Sequence, residues 1–125
     1  MLKKTLLIIF SFLLLNCSNS STPKVKRVGD KDIKIYYIHR DHCPGCEYMD
    51  AVFKTKEIQN ILKNGYKLIV VDVNNQEALP SNLLKTRTTP TLYFVDNSNH
   101  KIAKEEHVLS PEQLKQKLLE IRDRK

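Results

Sequence analysis

The sequence predicts an α/β fold in which helices cover both faces of a central mixed sheet. Apolar runs typical of strands alternate with segments of helical spacing, and two strands joined through a helix run parallel to each other. The last two strand candidates are separated only by the turn-forming residues 96–100, so we expect them to form an antiparallel hairpin. The predicted element order is β-α-β-α-β-β-α.

The first half of this order is a strand followed by helical sequence. Residues 33–39 are the first strand candidate, and a helical pattern begins at Cys43. Thr55 is expected to cap a second short helix, which stops at Asn64-Gly65. The apolar positions at helical spacing are Met49, Val52, Phe53, Ile58, Ile61 and Leu62.

The second half begins with a nearly continuous apolar run over residues 66–73, which predicts a central strand buried on both faces. Ser110, Pro111 and Gln113 form a strong helix start, with serine as N-cap, proline at the first helical position and glutamine at the third. The other candidates are a short helix over 79–85, a strand over 91–95, its hairpin partner over 101–108, and a last helix buried through Leu114, Leu118 and Ile121.

The first sixteen residues are predicted to be a signal peptide rather than part of the fold. A basic start is followed by the apolar residues 5–15, a stretch shorter than the about 20 residues that a membrane-spanning helix needs. It ends in Leu14-Leu15-Asn16-Cys17, which resembles the lipobox of bacterial lipoprotein precursors. That resemblance implies a lipidated Cys17. The alternative is an ordinary signal peptide with an incidental cysteine.

The expected organisation is therefore a signal peptide over residues 1–16, a lipidated Cys17 with a flexible tether over 17–29, and one domain over 30–125. Loss of Lys3 and Lys4 with the signal lowers the formal net charge from +7 to +5. This modest, dispersed charge favours solubility and some attraction to anionic lipid, and it does not indicate a nucleic-acid partner.

Two of the three cysteines, Cys43 and Cys46, form a C-x-x-C pair between the first strand and the first helix. A loop this short is a poor structural staple. At a helix start, backbone N–H groups and the helix dipole favour a thiolate. Thiol–disulfide exchange requires at least a stabilised thiolate and a second thiol nearby, and here the second thiol lies one helical turn away.

Residues 30–124 resemble the thioredoxin superfamily, and most closely its small exported single-domain members. The resemblance rests on two motifs, Cys43-Pro44-Gly45-Cys46 after the first strand and Thr89-Pro90-Thr91 before the third. It implies a thioredoxin-like fold, with Cys43 as the attacking thiol and Cys46 as the resolving thiol.

The resemblance also implies supporting roles around the two sulfurs. Pro44 and Gly45 place no bulky side chain over them. Pro90 corresponds to the cis-proline that faces the cysteines, and the backbone of Thr89 would pair with an extended substrate chain. His42 is expected to lower the pKa of the Cys43 thiol as a neighbouring cation.

The chain departs from thioredoxin in two ways. It contains no tryptophan, and Tyr37 stands where thioredoxin has a buried acid, six residues before the first cysteine. That acid helps to deprotonate the resolving thiol. Glu47, next to Cys46, is a candidate substitute.

The leading functional hypothesis is a lipid-anchored thiol–disulfide oxidoreductase of the cell envelope, facing the extracytoplasmic space. We expect a monomer without cofactor or metal that acts on thiols and disulfides of exported proteins and is reset by a redox partner. The alternative is a copper or zinc delivery protein that uses His39 and His42 with the same cysteines. A redox-inert binding module is a third hypothesis. The Thr89-Pro90-Thr91 motif has no explanation in a metal role.

Overall fold

The computed structural model describes residues 33–124, so the predicted signal peptide, Cys17 and the tether lie outside the described residues. The elements are β1 (Ile33–His39), α1 (Pro44–Phe53), α2 (Lys56–Lys63), β2 (Tyr66–Asp72), β3 (Thr91–Val95), β4 (Lys101–Glu105) and α3 (Pro111–Asp123). None of the helices in this range is long and apolar enough to cross a membrane.

The four strands form one mixed sheet in the order β2-β1-β3-β4. β1 and β2 run parallel, whereas β3 is antiparallel to both β1 and β4. In this register Tyr37 lies opposite Val70 on one side and Leu92 on the other. The predicted α/β class, the mixed sheet and the final hairpin are confirmed.

Alternating residues of β1 and β3 point to opposite faces of the sheet and build two cores. The helix-side core contains Ile35, Tyr37, Leu92 and Phe94, against which the buried residues of α1, α2 and α3 pack. The loop-side core contains Tyr36, Ile38, Tyr93 and Val95, covered by Leu79 and Leu83. Because all three described helices contribute to the helix-side core, the prediction of helices on both faces is wrong for this part of the chain.

The predicted helix over residues 79–85 is also wrong, because this segment consists of turns. The buried Gln76 side chain bonds backbone groups on either side of this segment. Its Nε2 donates to the carbonyls of Val73 and Thr86 at 2.8 and 2.6 Å, and its Oε1 accepts from the Thr86 N–H at 3.1 Å. The Gln76 side chain thus joins the two ends of the turn segment, whose Leu79 and Leu83 cover the sheet.

β2 was predicted to be a central strand and is instead an edge strand among the described residues. Tyr66 and Leu68 pack on the helix-side core, and Ile69 and Val71 pack on the loop-side core. Val70 is 60% exposed. The apolar run arises because both faces of this edge strand are partly covered, and such a run is indistinguishable in sequence from that of a central strand.

The helix boundaries confirm one predicted cap and correct another. At the start of α3, the Ser110 hydroxyl accepts from the Gln113 N–H at 3.1 Å, and the Gln113 side chain accepts from the Ser110 N–H at 2.9 Å. Thr55 occupies the N-cap position of α2 without a side-chain capping bond, since its hydroxyl donates to the Val52 carbonyl at 2.9 Å. Gly65, with φ 120°, follows the end of α2 as predicted.

Candidate active site

Cys43 is the N-cap residue of α1, directly after the loop that follows β1. Its backbone is extended, with φ −122° and ψ 109°, and Pro44 occupies the start of the helix, where an N–H would lack an intrahelical partner. The Cys43 Sγ accepts a hydrogen bond from the Cys46 N–H at 3.2 Å. Both cysteines are free thiols; Cys43 is 8% exposed and Cys46 fully buried.

The surroundings of Cys43 favour its thiolate. Burial acts to raise the pKa of this thiol, but several interactions outweigh it and bring the pKa below the ordinary value. These are hydrogen bonds from the Cys46 thiol, the Thr89 hydroxyl and the Cys46 N–H, together with the positive charge of Arg40. Hydrogen bonds to the charged form and a nearby opposite charge both stabilise that form.

The Cys46 thiol is shifted in the opposite direction. Burial raises its pKa, and the hydrogen bond that it donates to Cys43 raises the pKa further. The Arg40 N–H and Thr89 oppose this effect without reversing it. The first proton that the pair loses therefore leaves Cys43 in preference to Cys46.

The Thr89-Pro90 peptide is cis, as the resemblance implied. The Thr89 hydroxyl lies 3.5 Å from the Cys43 Sγ, and the Thr89 carbonyl oxygen lies 4.0 Å from the same sulfur. The fold thus brings the second motif onto the first, although 46 positions separate Cys43 from Thr89. The role of the Thr89 backbone in pairing with a substrate chain stays a prediction.

Gly45 allows α1 to approach the proline. A Cβ placed on Gly45 would lie 3.1 Å from the Pro90 Cδ and 3.3 Å from the Val108 Cγ1. Ordinary van der Waals contact begins at larger separations, so any side chain here would push against the buried Pro90 ring. The absence of a side chain at residue 45 is therefore required by packing as well as by access to the sulfurs.

His42 and Arg40 occupy the loop between β1 and α1. His42 is exposed and has φ 58°, and its predicted influence on the thiol stays a prediction. Arg40 was not predicted as a site residue, yet its positive charge lowers the pKa of Cys43. Its backbone N–H also donates a hydrogen bond to Cys46. Its guanidinium also donates to the Arg87 carbonyl at 3.0 Å, which ties the loop to the segment before β3.

Beside Cys46 lies a hydrogen-bonded group that sequence reasoning missed. The Tyr37 hydroxyl lies 2.9 Å from both the Cys46 carbonyl oxygen and the Asp50 Oδ1. The other Asp50 oxygen lies 3.2 Å from the His39 Nε2. Glu47, the predicted substitute for the buried acid, is exposed. The spacing of Asp50, four residues after Cys46, was the available signal, because such residues share one helix face.

The proposed metal ligands are not assembled into one site. His39 is engaged with Asp50. Within residues 33–124, no group of three or more histidine, cysteine, aspartate or glutamate side chains is arranged to hold a metal ion.

Similar structures share this fold at low sequence identity. No protein-family model matches the sequence, and no curated protein matches it. A thioredoxin from Thermus thermophilus is 19% identical over 73% of this chain and 74% of its own, with a TM-score of 0.59. A thioredoxin-fold protein from Helicobacter pylori is 18% identical over 74% and 70%, with a TM-score of 0.60. A disulphide isomerase from Xylella fastidiosa is 10% identical over 74% and 79%, with a TM-score of 0.58. The chain therefore has a thioredoxin-like fold.

Proposed function

We propose that this protein is a thiol–disulfide oxidoreductase of the cell envelope that uses Cys43 and Cys46. The observation that carries the proposal is the position of Cys43 at the N-cap of α1, where its Sγ accepts from the Cys46 N–H and faces the Thr89 hydroxyl while Cys46 is fully buried. The opposite shifts of the two thiol pKa values, lowered for Cys43 and raised for Cys46, agree with it. A nucleophile beside a buried, protonated resolving thiol is what exchange chemistry requires. The thioredoxin-like fold, shared with a disulphide isomerase, supports the same function.

The reaction consists of two displacements at sulfur. The Cys43 thiolate attacks a substrate disulfide, its S–S bond breaks, and one substrate sulfur leaves as a thiolate. Cys46 then loses its proton and attacks the Cys43 Sγ, which releases the second substrate thiolate and leaves a Cys43–Cys46 disulfide. Two electrons have passed to the substrate, and a partner dithiol must restore the pair. Oxidation of a substrate follows the same steps in reverse.

Lipid anchoring at Cys17 is the second part of the proposal, and it rests on the sequence alone. The basic start, the apolar residues 5–15 and the cysteine that follows support export and lipidation. Two or more acyl chains on one terminus suffice for stable anchoring, whereas a single chain is marginal. Mass spectrometry of the membrane fraction should detect a diacylglyceryl-modified peptide that begins at Cys17. An unmodified form that begins elsewhere would contradict this part.

The exchange function is tested by trapping with two matched variants, Cys46→Ser and Cys43→Ser. Cys46→Ser should accumulate mixed disulfides with exported proteins on non-reducing gels, because the intramolecular release step is missing. Cys43→Ser should not accumulate them, because its remaining thiol is fully buried. If neither variant captures a partner and the wild type binds copper or zinc stoichiometrically, the metal alternative replaces the oxidoreductase.

A further inference from the structure

The release step requires a group that takes the proton from Cys46. This thiol is fully buried, and both burial and its hydrogen bond to Cys43 raise its pKa. Bulk water is therefore a poor acceptor for the proton. Tyr37 cannot be the base, because burial and then the Asp50 carboxylate raise its pKa and keep the hydroxyl protonated.

Asp50 lies one helical turn after Cys46, on the same face of α1. It is joined to the buried Tyr37 hydroxyl through one oxygen and to His39 through the other, at 2.9 and 3.2 Å. The Tyr37 ring lies 5.5 Å from the His39 ring in an edge-to-face arrangement. The three side chains thus form a continuous hydrogen-bonded network that runs from the backbone of Cys46 to two partly exposed side chains, Asp50 at 39% and His39 at 24%.

The hydrogen-bonded network of Tyr37, Asp50 and His39 can accommodate Asp50 either ionised or protonated. The single proton of the Tyr37 hydroxyl lies between two acceptors, the Cys46 carbonyl oxygen and the Asp50 Oδ1. When Asp50 is ionised, Tyr37 can donate to it. When Asp50 is protonated, Asp50 can donate to the Tyr37 oxygen, and Tyr37 then donates to the Cys46 carbonyl. No atom has to move far when the proton arrives.

Tyr37 also couples this hydrogen-bonded network electrostatically to the two thiols. Besides burial and Asp50, the negative charges of Cys46 and Cys43 raise its pKa, so the phenol lies within range of both sulfurs. The titratable and charged groups that act on this region are Tyr37 and His39 from β1, Cys46 from α1, and Cys43 and Arg40 from the loop.

We propose that Asp50, paired with His39 and held by Tyr37, accepts the proton of Cys46 during the release step. This inference rests on the proposed exchange function. The Cys46 S–H bond breaks, the proton passes to the Asp50 carboxylate, and it leaves for solvent from the partly exposed pair of Asp50 and His39. The sulfur electron pair forms the bond to the Cys43 Sγ, and the bond from Cys43 to the substrate breaks with its electrons on the substrate sulfur.

The test separates attack from release by using an aromatic disulfide, 5,5′-dithiobis(2-nitrobenzoate), in excess over reduced protein. Attack by Cys43 liberates one coloured thiolate in a first phase, and release by Cys46 liberates the second. Stopped-flow absorbance over a range of pH measures both. Asp50→Asn should slow the second phase by about 100-fold near neutral pH, the lower end for loss of a positioned base. The first phase should change little.

The matched control is Glu47→Gln, which removes an exposed carboxylate from the same helix start, and its second phase should keep the wild-type rate. His39→Gln keeps the Asp50–Tyr37 bond and should slow release less than Asp50→Asn does. His39→Gln therefore tests the proton transfer from Cys46 even if Asp50→Asn folds poorly. The inference is overturned if Asp50→Asn releases at the wild-type rate or, where that variant does not fold, if His39→Gln does. It is also overturned if Glu47→Gln slows release equally. A wild type without a second phase would instead contradict the exchange function.

Discussion

A methyl group added at Gly45 tests how closely the helix and the cis-proline segment pack. In Gly45→Ala, the new Cβ would lie 3.1 Å from the Pro90 Cδ and 3.3 Å from the Val108 Cγ1. Val108 is 41% exposed and can turn away, whereas Pro90 is buried and its ring cannot rotate. The cost of the substitution is therefore set mainly by displacement of Pro90.

Two opposing effects determine the size of the change. Alanine is a better helix former than glycine by about 1 kcal/mol at most, which would stabilise α1. Overpacking by one methyl group typically destabilises a protein by about 1–3 kcal/mol. We therefore expect Gly45→Ala to lower the free energy of unfolding by about 1 kcal/mol, or about 4–8 °C in Tm for a domain of this size. Displacement of Pro90 should also slow the reaction of Cys43 with a protein disulfide.

Urea denaturation and the rate of mixed-disulfide formation are the two assays. The matched control is Gly65→Ala, where nothing lies within 4 Å of the added Cβ but φ is 120°. Its backbone strain should lower the free energy of unfolding by about 1–3 kcal/mol. The reaction of Cys43 should not change, because Gly65 accepts from the Ile33 N–H at the end of β1 that is remote from Cys43. If Gly45→Ala stabilises the protein by the full helix-propensity gain, the crowding at Pro90 does not exist.

Three further predictions concern the thiols and a helix cap. Thr89→Val removes a hydrogen bond to Cys43, so the pH midpoint for alkylation of Cys43 should rise; an unchanged midpoint would contradict the contact. The unfolding free energy of the reduced protein should rise with pH while Cys43 ionises, because the Cys43 thiol of the unfolded state keeps its proton to higher pH. Above about pH 8.5 the unfolding free energy should fall, because folded Cys46 keeps a proton that unfolded Cys46 loses. Denaturation across pH checks this, and a monotonic rise would refute the opposite shifts. Ser110→Ala should cost about 1 kcal/mol and more than Thr55→Ala, whose hydroxyl caps no helix.

Sequence reasoning was most successful where periodicity and a motif agreed. β1, β3 and the capping box of α3 lie where the pattern placed them, since apolar strand-like runs and Ser-Pro-x-Gln are local signals. The cis Thr89-Pro90 bond came from the family resemblance, because the local sequence alone favours a trans bond.

The errors share a physical cause, which is dependence on contacts that are distant in sequence. The edge position of β2 depends on which strands pair, and an apolar run does not encode that. The two ends of the turn segment after β2 are joined by the buried Gln76 side chain, a contact that no local pattern encodes. The hydrogen bond between Asp50 and Tyr37 was missed because it depends on Tyr37 facing α1 across the helix-side core.

The redox equilibrium of Cys43 and Cys46 in glutathione or dithiothreitol buffers is the most direct test of the proposed exchange function. We predict one two-electron transition to an intramolecular disulfide, with a potential between about −120 and −270 mV, the range of exchange catalysts. Since hydrogen bonds and the charge of Arg40 favour the Cys43 thiolate, the transition should be reversible. Failure to form the disulfide at any poise, or a potential below about −300 mV as in structural disulfides, would contradict the assignment of these cysteines as a redox-active pair.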